Sequence, residues 1–145
     1  MDFLGKHFLF GDQEKKDLDL QNIEFIGLYF SASWCVPCRY FTSTLLDFYN
    51  KVNRSKKQME IILVSRDRSE TDFLDYYKKM SWFAIPFWDR LRIHKLATGF
   101  SVSRIPTLLI FDNKGKLLSR EGVYEIEEYG LNAYKGWVYL KNKNN

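Results

Sequence analysis

Cys35 and Cys38 are the only cysteines of the 145-residue chain. They stand in the run Trp34-Cys35-Val36-Pro37-Cys38, with two residues between the sulfurs. Thiols at this spacing can clamp a metal, exchange electrons as a dithiol, or lie inert in a core. Zinc takes four Cys or His ligands as a rule. Only His7 and His94 could complete such a set, and they are not paired at an H-x₃₋₅-H spacing. A lone C-x-x-C is a weak signal, so its place in the chain has to choose among the three.

The pair falls between two elements. Ile23–Ala32 (IEFIGLYFSA) is a nearly continuous apolar run, read as a strand buried on both faces. From Cys38 the period changes: Phe41, Leu45, Phe48 and Val52 mark one face of an amphipathic helix of about four turns. Pro37 suits a first helical turn, where its missing N–H has no partner to lose. Cys35 then lies at the helix N-terminus, where free N–H groups and the helix dipole favour a thiolate. Cys38 follows one turn below, more buried and within disulfide reach. Such unequal sulfurs divide the work. Cys35 attacks a substrate disulfide, and Cys38 displaces the product from the mixed disulfide. Trp34 shields the site and offers a partner a flat apolar contact. Dithiol exchange is the reading this position favours, with the cysteines themselves carrying the electrons and no metal or prosthetic group expected.

A second stretch supports it. Pro106 precedes the apolar run Thr107–Asp112, read as a strand. X-Pro bonds can be cis. A cis bond here would leave the Ile105 backbone open to an extended substrate, in the manner of strand addition. An ordinary trans proline at a strand entry is the alternative.

The other elements must hold these residues together. Met59–Ser65 reads as another buried strand. Ser69 caps a helix with Asp72 three residues on and Phe73, Tyr77 and Met80 as its apolar face. Arg90–Phe100 reads as a short helix ending near Gly99. Asp112–Gly115 is a hairpin turn into a paired strand. Tyr124–Tyr139 reads as a final helix, weakened by Gly130 and Gly136. Strand–helix–strand order demands a parallel core sheet, and the hairpin adds antiparallel strands. The expected fold is α/β: a mixed central sheet with helices on both faces, in one domain over residues 1–145, frayed from Lys141 to Asn145.

Bulk composition narrows the partners. Hydrophobic residues make up 46% of the chain, with twelve Phe and nine Tyr, enough for a core. The net charge is +4, but acids and bases are interspersed. The expectation is no nucleic acid and no membrane as partner, and a monomer. The opening residues lack the apolar run of a secretory signal. Two cysteines make no stapled scaffold, which points to a reducing, cytoplasmic or nuclear compartment.

Trp34-Cys35-x-Pro37-Cys38 with Ile105-Pro106-Thr107 resembles the active site of the thioredoxin superfamily. The longer run Tyr29–Tyr49 (YFSASWCVPCRYFTSTLLDFY) resembles its tryparedoxin and nucleoredoxin branch, as does Met80–Phe87 (MSWFAIPF). The likeness runs from about residue 20 to about residue 120. It implies the thioredoxin fold and thiol–disulfide oxidoreductase activity. Cys35 matches the attacking cysteine, Cys38 the resolving one, Pro106 the cis proline and Trp34 the flanking tryptophan. In tryparedoxins, electrons pass from the dithiol trypanothione to peroxiredoxins and other disulfide acceptors. The resemblance thus implies an upstream dithiol or reductase donor and a downstream disulfide protein such as a peroxiredoxin.

The chain also departs from the pattern. Tyr29 stands where ordinary thioredoxins keep a buried Asp, as it does in the tryparedoxin branch. Asp67 matches an acid of that branch's W-D-E-like run, as proton acceptor or as cap of the next turn. Arg66 replaces the tryptophan of that run, and Val36 a proline between the cysteines. Arg104 sits beside the presumed groove; with Arg39 and Arg120 it would attract acidic, glutathione-like carboxylates. A redox-switched binding module without steady turnover is the alternative function.

Overall fold

The structure is a computed structural model and describes residues 1–143. Among the described residues seven strands form one sheet: β1 (Phe8–Phe10), β2 (Gln13–Lys15), β3 (Phe25–Ser31), β4 (Met59–Ser65), β5 (Phe83–Ala84), β6 (Thr107–Asp112) and β7 (Leu117–Ser119). Five α-helices accompany them: α1 (Val36–Val52), α2 (Glu70–Tyr77), α3 (Arg90–Gly99), α4 (Gly122–Tyr129) and α5 (Asn132–Lys143). The sheet order is β2-β1-β5-β4-β3-β6-β7. β3 pairs parallel with β4 and antiparallel with β6, so the strand that delivers Cys35 is flanked on both edges.

Period-two alternation divides the core. Phe25 and Tyr29 of β3, Met59, Ile61 and Leu63 of β4, and Leu108 and Ile110 of β6 face one side. They meet Phe41, Leu45 and Phe48 of α1, Phe73 and Tyr77 of α2, Ile126 of α4 and Trp137 of α5. Ile26, Leu28 and Phe30, with Ile62, Val64, Leu109 and Phe111, face the other side, against Ile93, Leu96 and Ala97 of α3. Both faces of the central strands are therefore dry, which is why they read as continuous apolar runs.

The expected mixed sheet with helices on both faces is present, as are the strands and helices on either side of the cysteines. Ser69 Oγ accepts from Asp72 N at 3.2 Å, and Asp89 caps α3 through Arg92 N. α2 ends at Tyr77, so Met80 is buried from the following loop rather than from the helix. The single helix expected over Tyr124–Tyr139 is two: Gly130 takes a φ of +56°, open to glycine, and turns the chain between α4 and α5. Gly122 opens α4, where a Cβ would stand 2.7 Å from the Leu108 carbonyl oxygen; only glycine lets α4 press so close to β6. The expected fraying from Lys141 is corrected as far as Lys143. Lys141 Nζ reaches Glu24 Oε2 at 2.6 Å and lies over the Phe25 ring, which ties the last helix to the start of β3. Residues 144–145 lie outside the described part. Among the described residues, no helix is long and apolar enough to cross a membrane.

Glu60 is the buried acid of β4. Tyr49 Oη donates to its Oε1 at 2.9 Å, and Lys57 stands 3.3 Å from Oε2. Burial nonetheless raises its pKa above the usual carboxylate value, outweighing both partners. A folded-state pKa above the unfolded one gives stability at low pH that is lost as pH rises through the folded value. Wild type should therefore lose stability relative to Glu60→Gln as pH rises from about 4 to about 7. Urea denaturation at the two pH values checks this, and a pH-independent difference would contradict it.

Candidate active site

β3 runs out at Ser31 in the middle of the sheet, and Ala32–Trp34 carry the chain over its edge into α1. Cys35 is the N-cap residue of that helix. Its Sγ accepts from Cys38 N at 3.2 Å, the hydrogen bond a capping oxygen would make. Pro37 occupies the first turn. Cys35 and Cys38 are joined as a disulfide with Cα atoms 5.2 Å apart. Cys35 is 7% exposed and Cys38 wholly buried, so a partner approaching from solvent meets Cys35 first.

Asp67 fixes the loop before the helix. It is buried just beyond β4. Its carboxylate accepts from Ser33 N at 3.1 Å and from Ser33 Oγ at 2.6 Å. Ser65 Oγ donates to its other oxygen at 3.5 Å. Arg66 N donates to Ser31 O at 2.8 Å, and Trp34 Nε1 to Arg66 O at 3.2 Å. The segments after β3 and β4 are thus sewn together, and Trp34 is held half-exposed beside Cys35. Asp67 thereby clasps the loop before α1, a contact the sequence did not suggest, while the cap of the following helix is Ser69.

Beneath Cys38 lies a chain of buried hydroxyls. Thr42 Oγ1 donates to the Cys38 carbonyl at 2.9 Å and meets Tyr76 Oη at 2.6 Å and Tyr29 Oη at 2.8 Å. Tyr29 Oη also reaches the Cys38 carbonyl, at 3.2 Å, and Tyr76 Oη meets Ser31 Oγ at 2.8 Å. Burial drives the Tyr29 phenol pKa well above its ordinary value, the neighbouring Tyr76 adding to the effect. The position therefore carries a neutral, proton-holding group. The sequence reading found Tyr29 but missed Thr42 and Tyr76. Thr42 lies one helical turn after Cys38, a spacing that places both on one face.

Across from the cysteines, the Ile105–Pro106 bond is cis. Cys35 Sγ lies 3.9 Å from the Ile105 carbonyl oxygen. Ile105 precedes β6 and has no backbone hydrogen-bond partner among the described residues. Trp34, Pro37, Ile105, Pro106, Asp67 and Arg104 thus gather with both cysteines at one end of the sheet. A cleft of about 560 Å³ opens there, lined by Trp34, Asp67, Arg104 and Ile105 and by the unforeseen Arg66, Arg68, Arg90 and His94. Two of the expected cations are engaged with backbone instead. Arg39 Nη1 donates to Ser33 O at 2.6 Å, and Arg120 Nη2 to Phe100 O at 2.6 Å. Among the described residues, no group of three or more His, Cys, Asp or Glu is placed to hold a metal ion.

The sequence matches the Thioredoxin-like family over residues 22–117. It is 43% identical over 133 residues to a probable nucleoredoxin 1 of Arabidopsis thaliana, covering 92% of this chain and 22% of that protein. The chain thus spans about a fifth of that relative's length. It is 51% identical over 84 residues to a tryparedoxin of Trypanosoma brucei brucei, 58% of either chain. The solved structure of tryparedoxin II complexed with glutathionylspermidine superposes with a TM-score of 0.81 at 38% identity, covering 88% of this chain and 89% of that one. Profile, sequence and backbone agree: this chain belongs to the thioredoxin superfamily, in its tryparedoxin and nucleoredoxin branch.

Proposed function

We propose that the chain reduces protein disulfides through the Cys35/Cys38 dithiol. One observation carries the reading: the more accessible sulfur caps a helix and lies 3.9 Å from the free carbonyl of Ile105, where an extended substrate would pair. The Cys35 thiolate attacks one sulfur of the substrate disulfide. A Cys35–substrate bond forms, and the other substrate sulfur leaves as a thiolate. Cys38 loses its proton and attacks Cys35 Sγ. The Cys35–Cys38 bond forms and the second substrate thiolate leaves. The substrate gains two electrons and the pair is oxidised. An upstream dithiol or reductase then returns two electrons and two protons. A peroxiredoxin-type disulfide protein is the acceptor we favour, in the cytoplasm or nucleus.

The Cys38 proton needs a taker. Tyr29, at the place of the thioredoxin acid, holds its own proton, and Asp67 is occupied by Ser33 and Ser65. The departing substrate thiolate, created beside Cys35, is the basic group this chemistry itself supplies. Tyr29→Phe should then leave the pH profile of turnover in place while costing about 0.5–1.5 kcal/mol of stability for the lost hydrogen bond. A displaced profile would mean the phenol handles the proton.

The face around Cys35 also exposes Trp34, Val36 and Tyr40, at 50%, 49% and 76%. That apolar rim suits the alternative, a groove that holds a partner and is switched by redox state. Insulin reduction with dithiothreitol as donor separates the two. Cys35→Ser should abolish turnover. Cys38→Ser should retain the first attack and trap substrate as a stable mixed disulfide, visible by mass. Wild type that turns over no faster than dithiothreitol alone would leave only the binding reading.

A further inference from the structure

The cleft beside the disulfide carries more charge than exchange chemistry uses. Arg66, Arg68, Arg90 and Arg104 all line it, with His94. Among the described residues, no carboxylate stands within 4.0 Å of any of these guanidinium groups. The one acid of the lining, Asp67, is buried and engaged by Ser33 and Ser65. Two of the cations are held in place. The Arg68 guanidinium lies 5.0 Å over the Trp34 ring. The Arg90 guanidinium lies 4.3 Å over the Phe87 ring and donates to the Asp67 carbonyl. Fixed guanidinium groups lose little entropy when they bind and match carboxylates two bonds at a time. A concave site with a net excess of positive charge also concentrates anions.

Resting on the reductase reading of this site, we propose that the arginine cleft selects protein disulfides flanked by acidic residues. The occupant is a peptide carrying Asp or Glu within a few residues of its cysteine. Two features favour a peptide over a small free anion. The cleft begins at Ile105, whose open backbone suits an extended chain, so a segment paired there continues over the arginines. Its volume of about 560 Å³ exceeds what one carboxylate fills. Guanidinium groups spread from Trp34 to Arg90 can meet several acids of one strand.

The test uses the 145-residue chain, kept reduced by dithiothreitol as donor, and three disulfide-linked peptides, identical except for Glu, Gln or Lys beside the cysteine. The Glu peptide should show a kcat/KM about tenfold above the Lys peptide at low salt, shrinking as salt screens the charges. Arg66→Glu/Arg68→Glu, both at exposed positions, should invert the order. The salt dependence of wild type is an independent readout should that variant unfold. Equal rates for the three peptides, or a preference that salt and charge reversal leave alone, would overturn the cleft's role. Glutathione disulfide, run in parallel, is the small anionic substrate. If it matched the Glu peptide in rate and in loss on charge reversal, the peptide assignment would fall. Failure of wild type to reduce even the Gln peptide would instead sink the reductase reading itself.

Discussion

Everything at the site depends on a sulfur doing the work of a helix cap. An α-helix begins with N–H groups that lack intrahelical partners, and the residue before the first turn normally offers them an oxygen. Here that residue is Cys35, and its Sγ takes the Cys38 N–H. The same contact sets the two cysteines one turn apart and leaves one outward and one inward. A weaker acceptor in this position is tolerated because the rest of α1 is secured elsewhere. Phe41, Leu45 and Phe48 sit in the core and do not depend on the cap for their packing.

The loop in front of the cap is the second constraint, because its direction decides whether Cys35 faces the groove. β3 is an interior strand, so the chain must leave the sheet between β4 and β6. Asp67 supplies the clasp from β4's side, and the Ile105–Pro106 turn forms the opposite wall. Tyr29 puts no acid beneath Cys38, yet the buried space there is not apolar. Hydroxyls of Tyr29, Thr42, Tyr76 and Ser31 satisfy one another and the Cys38 carbonyl. Neutral hydroxyls bring this hydrogen bonding without a charge that burial would penalise. The result is a hydroxyl-lined floor beneath Cys38.

Much of this was legible in the residues, and the reasons are local. Runs such as Ile23–Ala32 and Met59–Ser65 are buried on both faces, so composition alone reveals them. The spacing Phe41, Leu45, Phe48, Val52 reveals α1. The hairpin β1–β2 and strand β5 were not legible. They are two or three residues long; β1 and β2 pair with each other locally, and the hairpin is anchored by pairing at a distance, Leu9 against Ala84 and Phe10 against Phe83, whose rings stack at 4.7 Å. No short window of sequence carries that signal. The final helix was legible in kind but not in number, since one glycine at positive φ cut it in two. The hydroxyl chain joins residues 29, 31, 42 and 76, from the end of one strand and from two helices, and only the fold brings them together.

The arginine cleft shows how three consecutive residues can be both clasp and lure. Beyond β4 the side chains still alternate in burial from Ser65 to Arg68. Asp67 turns inward to the serines, so its neighbours Arg66 and Arg68 turn out. Asp67 thus stands between two cations without an ion pair to either: its oxygens are taken up by Ser33 and Ser65. Arg90 then closes the arc from α3, its guanidinium held on the Asp67 carbonyl and not on the carboxylate. Swapping the order, with arginine inward and acids outward, would leave a buried guanidinium facing hydroxyls and a cleft of the opposite sign. The local alternation that fixes the active-site loop therefore also fixes the sign of the field beside the disulfide.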